Sequence, residues 1–171
     1  MSSIIICGLS EVERLIAERR PSHVVTLLDP TSMIETAEGF APERHLRIGV
    51  NDICDPTEGL VLPEAEMVEQ LVEFGRTWDA ASPILVHCWA GISRSTASAF
   101  TLLCERNPDT PETKIAEAMR AAAIHAYPNR RIVALADDLL GRRGRMVDAV
   151  NNVMVDYDYL AACPFEIAAR H

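Results

Sequence analysis

A chain of 171 residues with 49% hydrophobic and 24% charged side chains can build one sizeable core, and a single domain over residues 1–171 is expected. The 25 acidic and 16 basic residues give a net charge of −9, which disfavours a nucleic-acid partner or an anionic membrane surface. No apolar run approaches membrane-spanning length, and five cysteines, an odd number without regular spacing, argue for a reducing compartment, so cytoplasmic residence is expected.

Ile4-Ile5-Ile6-Cys7 is a short apolar run that predicts a buried first strand, with neither a charged leader nor a cleavage site before it. Ser10 is placed to N-cap a helix reaching about Arg20, which Pro21 ends. Val24-Val25-Thr26-Leu27-Leu28 predicts a second strand, stopped by Asp29-Pro30. Thr31 to Glu43 mixes Gly, Pro and polar residues and reads as a loop with room for one helical turn. Leu46, Ile48 and Val50 alternate with polar or small residues, as a half-buried third strand should, and Asn51 to Leu62 is a loop. From Pro63 onward Met67, Leu71, Phe74 and Trp78 recur at helical spacing and belong to the core.

Ile84 to Cys88 predicts a fourth strand, followed by a tight loop and a helix to about Arg106 that Asn107-Pro108 breaks. Thr110-Pro111 reads as an N-cap followed by proline at the first helical position, opening a helix to about Ala126. Pro128-Asn129 restarts the chain into a helix ending near Gly141, and Met146, Val150, Val153, Met154 and Tyr157 form a last amphipathic stripe. Strands come early and helices late, without repeats or linkers. The expected fold is α/β, with a small, largely parallel central sheet of four to five strands and helices on both faces.

The chemistry concentrates in Val86-His87-Cys88-Trp89-Ala90-Gly91-Ile92-Ser93-Arg94-Ser95, an H-C-x-x-G-x-x-R-S run directly behind a strand. Attack on phosphorus requires Cys88 as a thiolate, and the start of the following helix supplies N–H groups and a positive dipole end that favour both thiolate and phosphate. Gly91 permits a tight turn close to phosphate oxygens. Arg94 offers a planar fork for two oxygens at once. The Ser95 hydroxyl can donate to the sulfur when it leaves again.

This segment resembles the phosphate-binding loop of the cysteine-dependent protein tyrosine and dual-specificity phosphatases. The likeness is strongest over Leu46 to Arg106 and weaker for the early strands and Pro128-Asn129. It implies hydrolysis of phosphate monoesters through a phosphocysteine intermediate, without a cofactor, on a phosphorylated protein or a small phosphomonoester. The phosphate would be held by the loop Trp89, Ala90, Gly91, Ile92 and Ser93 together with Arg94. His87 would stabilise the loop and the thiolate by hydrogen bonding. The family carries a general-acid aspartate roughly thirty residues upstream of the cysteine, so Asp52 and Asp55 both qualify by separation. The context Gly49-Val50-Asn51-Asp52 is similar to that family's strand-end aspartate and favours Asp52, whereas Asp55 before Pro56 also suits a plain turn. Asn129 is similar to a Pro-Asn pair that opens a late helix in dual-specificity enzymes; it would bond near the loop, position water, or simply cap its helix.

Other candidates carry less. Glu64 and Glu66 lie at a helix start and suit solvent. His23, His45, His125 and His171 lack metal-ligand spacing, so no metal is expected. Cys54 could pair with an oxidised Cys88, although an ordinary loop thiol is the plainer reading, and Cys104 suits a buried helix position. The central position of the loop argues against the low-molecular-weight tyrosine phosphatases. The absence of lysine at Trp89, Ala90, Ile92 and Ser93 argues against a polyphosphorylated lipid, and no Lys-Asn-Arg-Tyr-type segment deepens the pocket for phosphotyrosine alone, so the resemblance implies a phosphotyrosine or dual-specificity phosphoprotein substrate in a dual-specificity-like pocket. A rhodanese-like sulfurtransferase, a phosphopeptide-binding pseudo-phosphatase and a small-metabolite phosphatase are the alternatives. The oligomeric state is left open.

Overall fold

Strands buried on both faces read as unbroken apolar runs, and two such runs sit side by side at the centre of the sheet. β4 (Ile84–Cys88) is buried throughout, and β1 (Ser3–Gly8) is buried except at its last residue. β2 (His23–Leu28) lies on the other side of β4, β3 (His45–Gly49) beyond it, and the order is β3-β2-β4-β1-β5. β1 to β4 are parallel, and β5 (Phe165–Ala168) runs antiparallel to β1 at the edge. The computed structural model describes residues 2–155 and 158–171.

Register decides what meets at the C-terminal edge of the sheet. Gly8 pairs with Cys88, Thr26 with His87, and Leu28 with Gly49, so the four parallel strands end at one level. The alternation of side chains splits the core in two. Ile4, Ile6, Val25, Leu27, Ile84, Val86 and Cys88 face the larger layer. That layer is built from α2 (Ala65–Thr77), α3 (Arg94–Arg106), α4 (Glu112–Ala122), α5 (Arg130–Leu139) and α6 (Arg145–Val153). Ile5, Cys7, Val24 and Leu85 face the other way and are covered by Val12 and Leu15 of α1 (Val12–Arg19). Helices thus flank both faces, five against one.

α3 is the axis of the large layer, buried without interruption from Arg94 to Cys104. Small residues such as Ala97 and Ala99 allow this, and the hydroxyls of Thr96, Ser98 and Thr101 each donate to the carbonyl four residues back. Thr96 donates to the Ile92 carbonyl, Ser98 to Arg94 (2.9 Å) and Thr101 to Ala97 (2.9 Å).

Several boundaries differ from those expected. Ser10 does not cap α1; it lies inside a 3₁₀ turn, Leu9–Glu11, and α1 starts at Val12. The loop after β2 holds two such turns, Pro30–Ser32 and Pro42–Arg44. Thr110 turns its hydroxyl to the His171 carbonyl (3.0 Å) instead of capping α4, whose N-cap is Pro111. α4 also stops at Ala122, short of Ala126, because the next segment is committed elsewhere: Tyr127 N–H donates to Ile92 (2.9 Å) and Asn129 N–H to Ser93 (3.2 Å). Met146, Val150 and Met154 of the last stripe are buried as expected, while Tyr157 lies outside the described residues.

A partly buried ion cluster ties α4 to the start of α6 and the turn before it. Glu112 accepts from Arg142 Nη1 (3.0 Å) and Arg145 Nε (3.0 Å), and Arg142 also donates to the Pro108 carbonyl (3.1 Å). Burial alone would raise the Glu112 carboxyl, but the Arg145 hydrogen bond and the two guanidinium charges outweigh it and hold the group below its ordinary 4.5. A group depressed on folding adds stability that is complete above its unfolded value and is lost as the pH falls through the folded one. Glu112→Gln should therefore cost about 3 kcal/mol near neutral pH by leaving a buried guanidinium without its counter-charge. In urea titrations the gap between wild type and variant should shrink as the pH falls below about 4.5; a constant gap would exclude the charge as its origin.

Candidate active site

Cys88 closes β4 and Arg94 opens α3, so the loop between them must reverse direction while staying against the sheet edge. Gly91 makes this possible with φ of +75°; a Cβ there would lie 2.7 Å from the Cys7 carbonyl carbon and 2.8 Å from the Gly8 nitrogen. The loop leans on β1, with Leu9 N–H donating to the Trp89 carbonyl (3.0 Å), and on the 127–129 segment from the other side. The N–H groups of Trp89, Ala90, Gly91, Ile92 and Ser93 donate to no backbone carbonyl among the described residues. Ser93, the N-cap of α3, provides no side-chain cap to the helix. Together these leave unpaired N–H donors at a helix start, an arrangement that favours an anion.

The charged and nucleophilic groups converge on it. Cys88 is 2% exposed, and its sulfur lies 3.2 Å from the Ser95 hydroxyl. Arg94 is 5% exposed, and its Nη1 donates to Asp29 Oδ1 (2.9 Å) and to the Val50 carbonyl (2.7 Å). Its Nε is buried with no acceptor among the described residues, a donor that an incoming oxygen could satisfy. Asp52 Oδ1 accepts from the Ser93 hydroxyl (2.7 Å) and from Asn129 Nδ2 (2.9 Å). Asn129 does two of the things expected of it: its Oδ1 caps α5 through Ile132 N–H (3.1 Å) while its amide grips Asp52 beside the loop.

Asp52 lines the cavity above Cys88, together with Trp89, Ala90, Ile92, Ser93 and Arg94. Gly91 does not; it is the contact with β1. Asp55 is exposed outside the cavity, and its carbonyl accepts from Thr57 (3.1 Å), as a turn residue would. His87 is fully buried, and burial pushes its imidazole down to about 4, so it is neutral. It reaches the loop through the Cys88 carbonyl (Nδ1, 3.5 Å) and the strand through Thr26 (Nε2, 2.7 Å). Cys54 lines the cavity with its sulfur 3.9 Å from Asn129 Oδ1, and the cysteines are unpaired thiols. Among the described residues no group of three or more His, Cys, Asp or Glu side chains could hold a metal.

The cavity measures about 820 Å³ and contains residues the sequence did not single out. Asp29, read only as the stop of β2, holds Arg94; the strand-end rule that singles out Asp52 applies to it equally. Leu60, Tyr127 and Tyr159 join the exposed Trp89 in an apolar rim, and among the described residues Arg130 is the one lining cation besides Arg94.

A five-stranded, mostly parallel sheet carrying a Cys–Arg loop at its C-terminal edge is the fold of the dual-specificity and tyrosine phosphatases. Solved structures with this fold include PTPMT1 in complex with PI(5)P, at 15% identity and a TM-score of 0.62 over 82% of this chain and 91% of that one. DUSP15 matches at 16% identity and a TM-score of 0.62 over 93% and 95% of the two chains. Human DUSP28 matches at 17% identity and a TM-score of 0.59 over 82% and 92%. No protein-family model and no curated protein matches the sequence.

Asp29 gives the site its first test. With its carboxylate removed, Arg94 keeps only the Val50 carbonyl at Nη1, and the fork is no longer fixed in its plane. Asp29→Ala should weaken tungstate binding about tenfold, or about 1.4 kcal/mol, with little change in fold. Calorimetric titration showing unchanged affinity would mean that Asp29 does not orient the fork.

Proposed function

We propose that the protein is a cysteine-dependent phosphatase that hydrolyses phosphate monoesters through a phosphocysteine intermediate. The observation that carries this reading is the meeting, in one cavity, of a buried thiol, a buried guanidinium with a free Nε, and a carboxylate. Cys88 Sγ attacks phosphorus while the ester oxygen leaves, and Asp52 gives that oxygen its proton. The loop N–H groups and Arg94 carry the charge of the three equatorial oxygens in the transition state. Water then attacks the phosphocysteine, Asp52 takes its proton, and phosphate departs as the sulfur leaves with the Ser95 hydroxyl beside it. A free thiol nucleophile suits the reducing cytoplasm suggested by the cysteine count.

The rim supports a substrate class. Trp89, Tyr127 and Tyr159 line the mouth and suit an aromatic or apolar body, whereas among the described residues the one lining cation that could meet a second phosphate is Arg130, which already sits over the Tyr127 ring (5.9 Å). A phosphoinositide such as the ligand of PTPMT1 is therefore a poorer fit than a phosphorylated tyrosine or another single aryl phosphate. A phosphotyrosine peptide should be turned over with a higher kcat/KM than PI(5)P. A sulfurtransferase would have no use for the Arg94–Asp29 pair, and a thiosulfate:cyanide assay should be negative.

Cys88→Ser should abolish turnover of an aryl phosphate and retain tungstate binding. Asp52→Ala should slow phosphotyrosine by at least about 100-fold but an activated aryl phosphate, whose leaving group needs no proton, by under about tenfold. Asp55→Ala should change neither. Wild-type turnover in Cys88→Ser would end the proposal, and the opposite pattern between the two aspartates would move the acid to Asp55.

Arg94→Lys replaces a fork with a point charge and cannot serve Asp29, Val50 and a phosphoryl oxygen together. It should lower kcat by at least about 100-fold and raise KM. A loss under about tenfold, roughly 1.4 kcal/mol, would exclude Arg94 as the phosphate clamp.

A further inference from the structure

On the α1 face of the sheet, opposite the helical layer, a line of hydrogen bonds crosses three adjacent strands. It starts at the Thr36 hydroxyl, 3.0 Å from His45 Nδ1 on β3, and continues from His45 Nε2 to the Thr26 hydroxyl on β2 (2.7 Å). The same Thr26 hydroxyl lies 2.7 Å from His87 Nε2 on β4, and His87 Nδ1 faces the Cys88 carbonyl at 3.5 Å. Both rings are neutral. Burial pushes His45 down to about 4, with Arg47 adding to the effect and Glu35 opposing it, and His87 stands at about 4 as well.

A neutral chain of this kind has two possible directions, because Thr26 has one proton for two ring nitrogens. The Cys88 carbonyl can only accept, and it settles the choice. His87 must carry its proton on Nδ1, so its Nε2 is bare and takes the Thr26 proton. Thr26 then accepts from His45, which carries its proton on Nε2 and takes the Thr36 proton on Nδ1. Every bond donates towards the catalytic loop, and the two histidines are opposite tautomers.

We propose that Thr26 and His45 are positioning residues that hold His87 with its Nδ1–H on the Cys88 carbonyl and thereby fix the first peptide of the anion loop. That planar peptide bears the Cys88 carbonyl on one edge and the Trp89 N–H on the other, so holding one edge aims the other. His87 cannot do this unaided: its contact to the carbonyl is long, and the 2.7 Å bond from Thr26 is what anchors the ring. The inference rests on Cys88 being the nucleophile of the proposed reaction.

Long-range proton–nitrogen NMR of the wild-type protein at neutral pH should show His87 as the Nδ1–H tautomer and His45 as Nε2–H. His87 found as Nε2–H overturns the proposal. The second measurement is the rate at which iodoacetamide alkylates Cys88, followed by mass spectrometry to separate it from the other thiols. Thr26→Val, equal in shape but without the hydroxyl, should slow alkylation at least about fivefold. Thr26→Ser should restore it, and His45→Phe should fall between. Wild-type rates in both Thr26→Val and His45→Phe overturn the proposal whatever the tautomers. Neither readout needs turnover, so a failure to hydrolyse any phosphomonoester would remove the proposed function without touching this result.

Discussion

A guanidinium cannot be taken out of water without acceptors, and the arrangement around Arg94 follows from that requirement. Its two Nη1 acceptors come from the ends of different strands, Asp29 after β2 and the Val50 carbonyl after β3, while Arg94 itself opens the helix that follows β4. Those three strands are neighbours in the sheet and end at one level. The sheet order is thus a precondition for the cation, and the cation with its spare Nε is a precondition for an anion beside Cys88. The loop is locked on its remaining sides by Gly8 and Leu9 beneath and Tyr127 and Asn129 above.

The large helical layer serves the same end. α3 can run through the middle of the molecule because the Ser98 and Thr101 hydroxyls bond back along the helix and its alanines let neighbours close in. A helix immobilised in this way keeps its first turn, and hence Arg94, fixed relative to the strand ends. The α1 face is thinner, which leaves room over β2 and β3 for the polar line from Thr36 to His87.

Local pattern made the strands β1 to β4, the Cys88–Arg94 loop and the favoured Asp52 legible, because each depends on residues close in sequence. What escaped depends on order across the sheet. Nothing in the neighbourhood of Asp29 says that Arg94 will lie beside it, and the spacing of Thr26, His45 and His87 becomes meaningful only once β3, β2 and β4 are adjacent. Thr110 misled because a better acceptor, the His171 carbonyl, comes from far along the chain. β5 was missed because four residues of alternation, Phe165 to Ala168, are too few to stand out without β1 as a partner. Ala123 to Ala126 reads as helical from sequence because the bond from Tyr127 to Ile92 that draws the chain away is a tertiary one.

The hold on Asp52 has a consequence for timing. Its carboxylate is pinned by Ser93 from the anion loop and by Asn129 from the cap of α5. The segment that carries it is closed by Val50 N–H on Leu28 (2.8 Å) and by Asn51 and Val61 bonding each other across its base. The proposed proton donor is therefore held beside the loop before any ester arrives. Its translational and rotational freedom was surrendered when the chain folded, not during turnover.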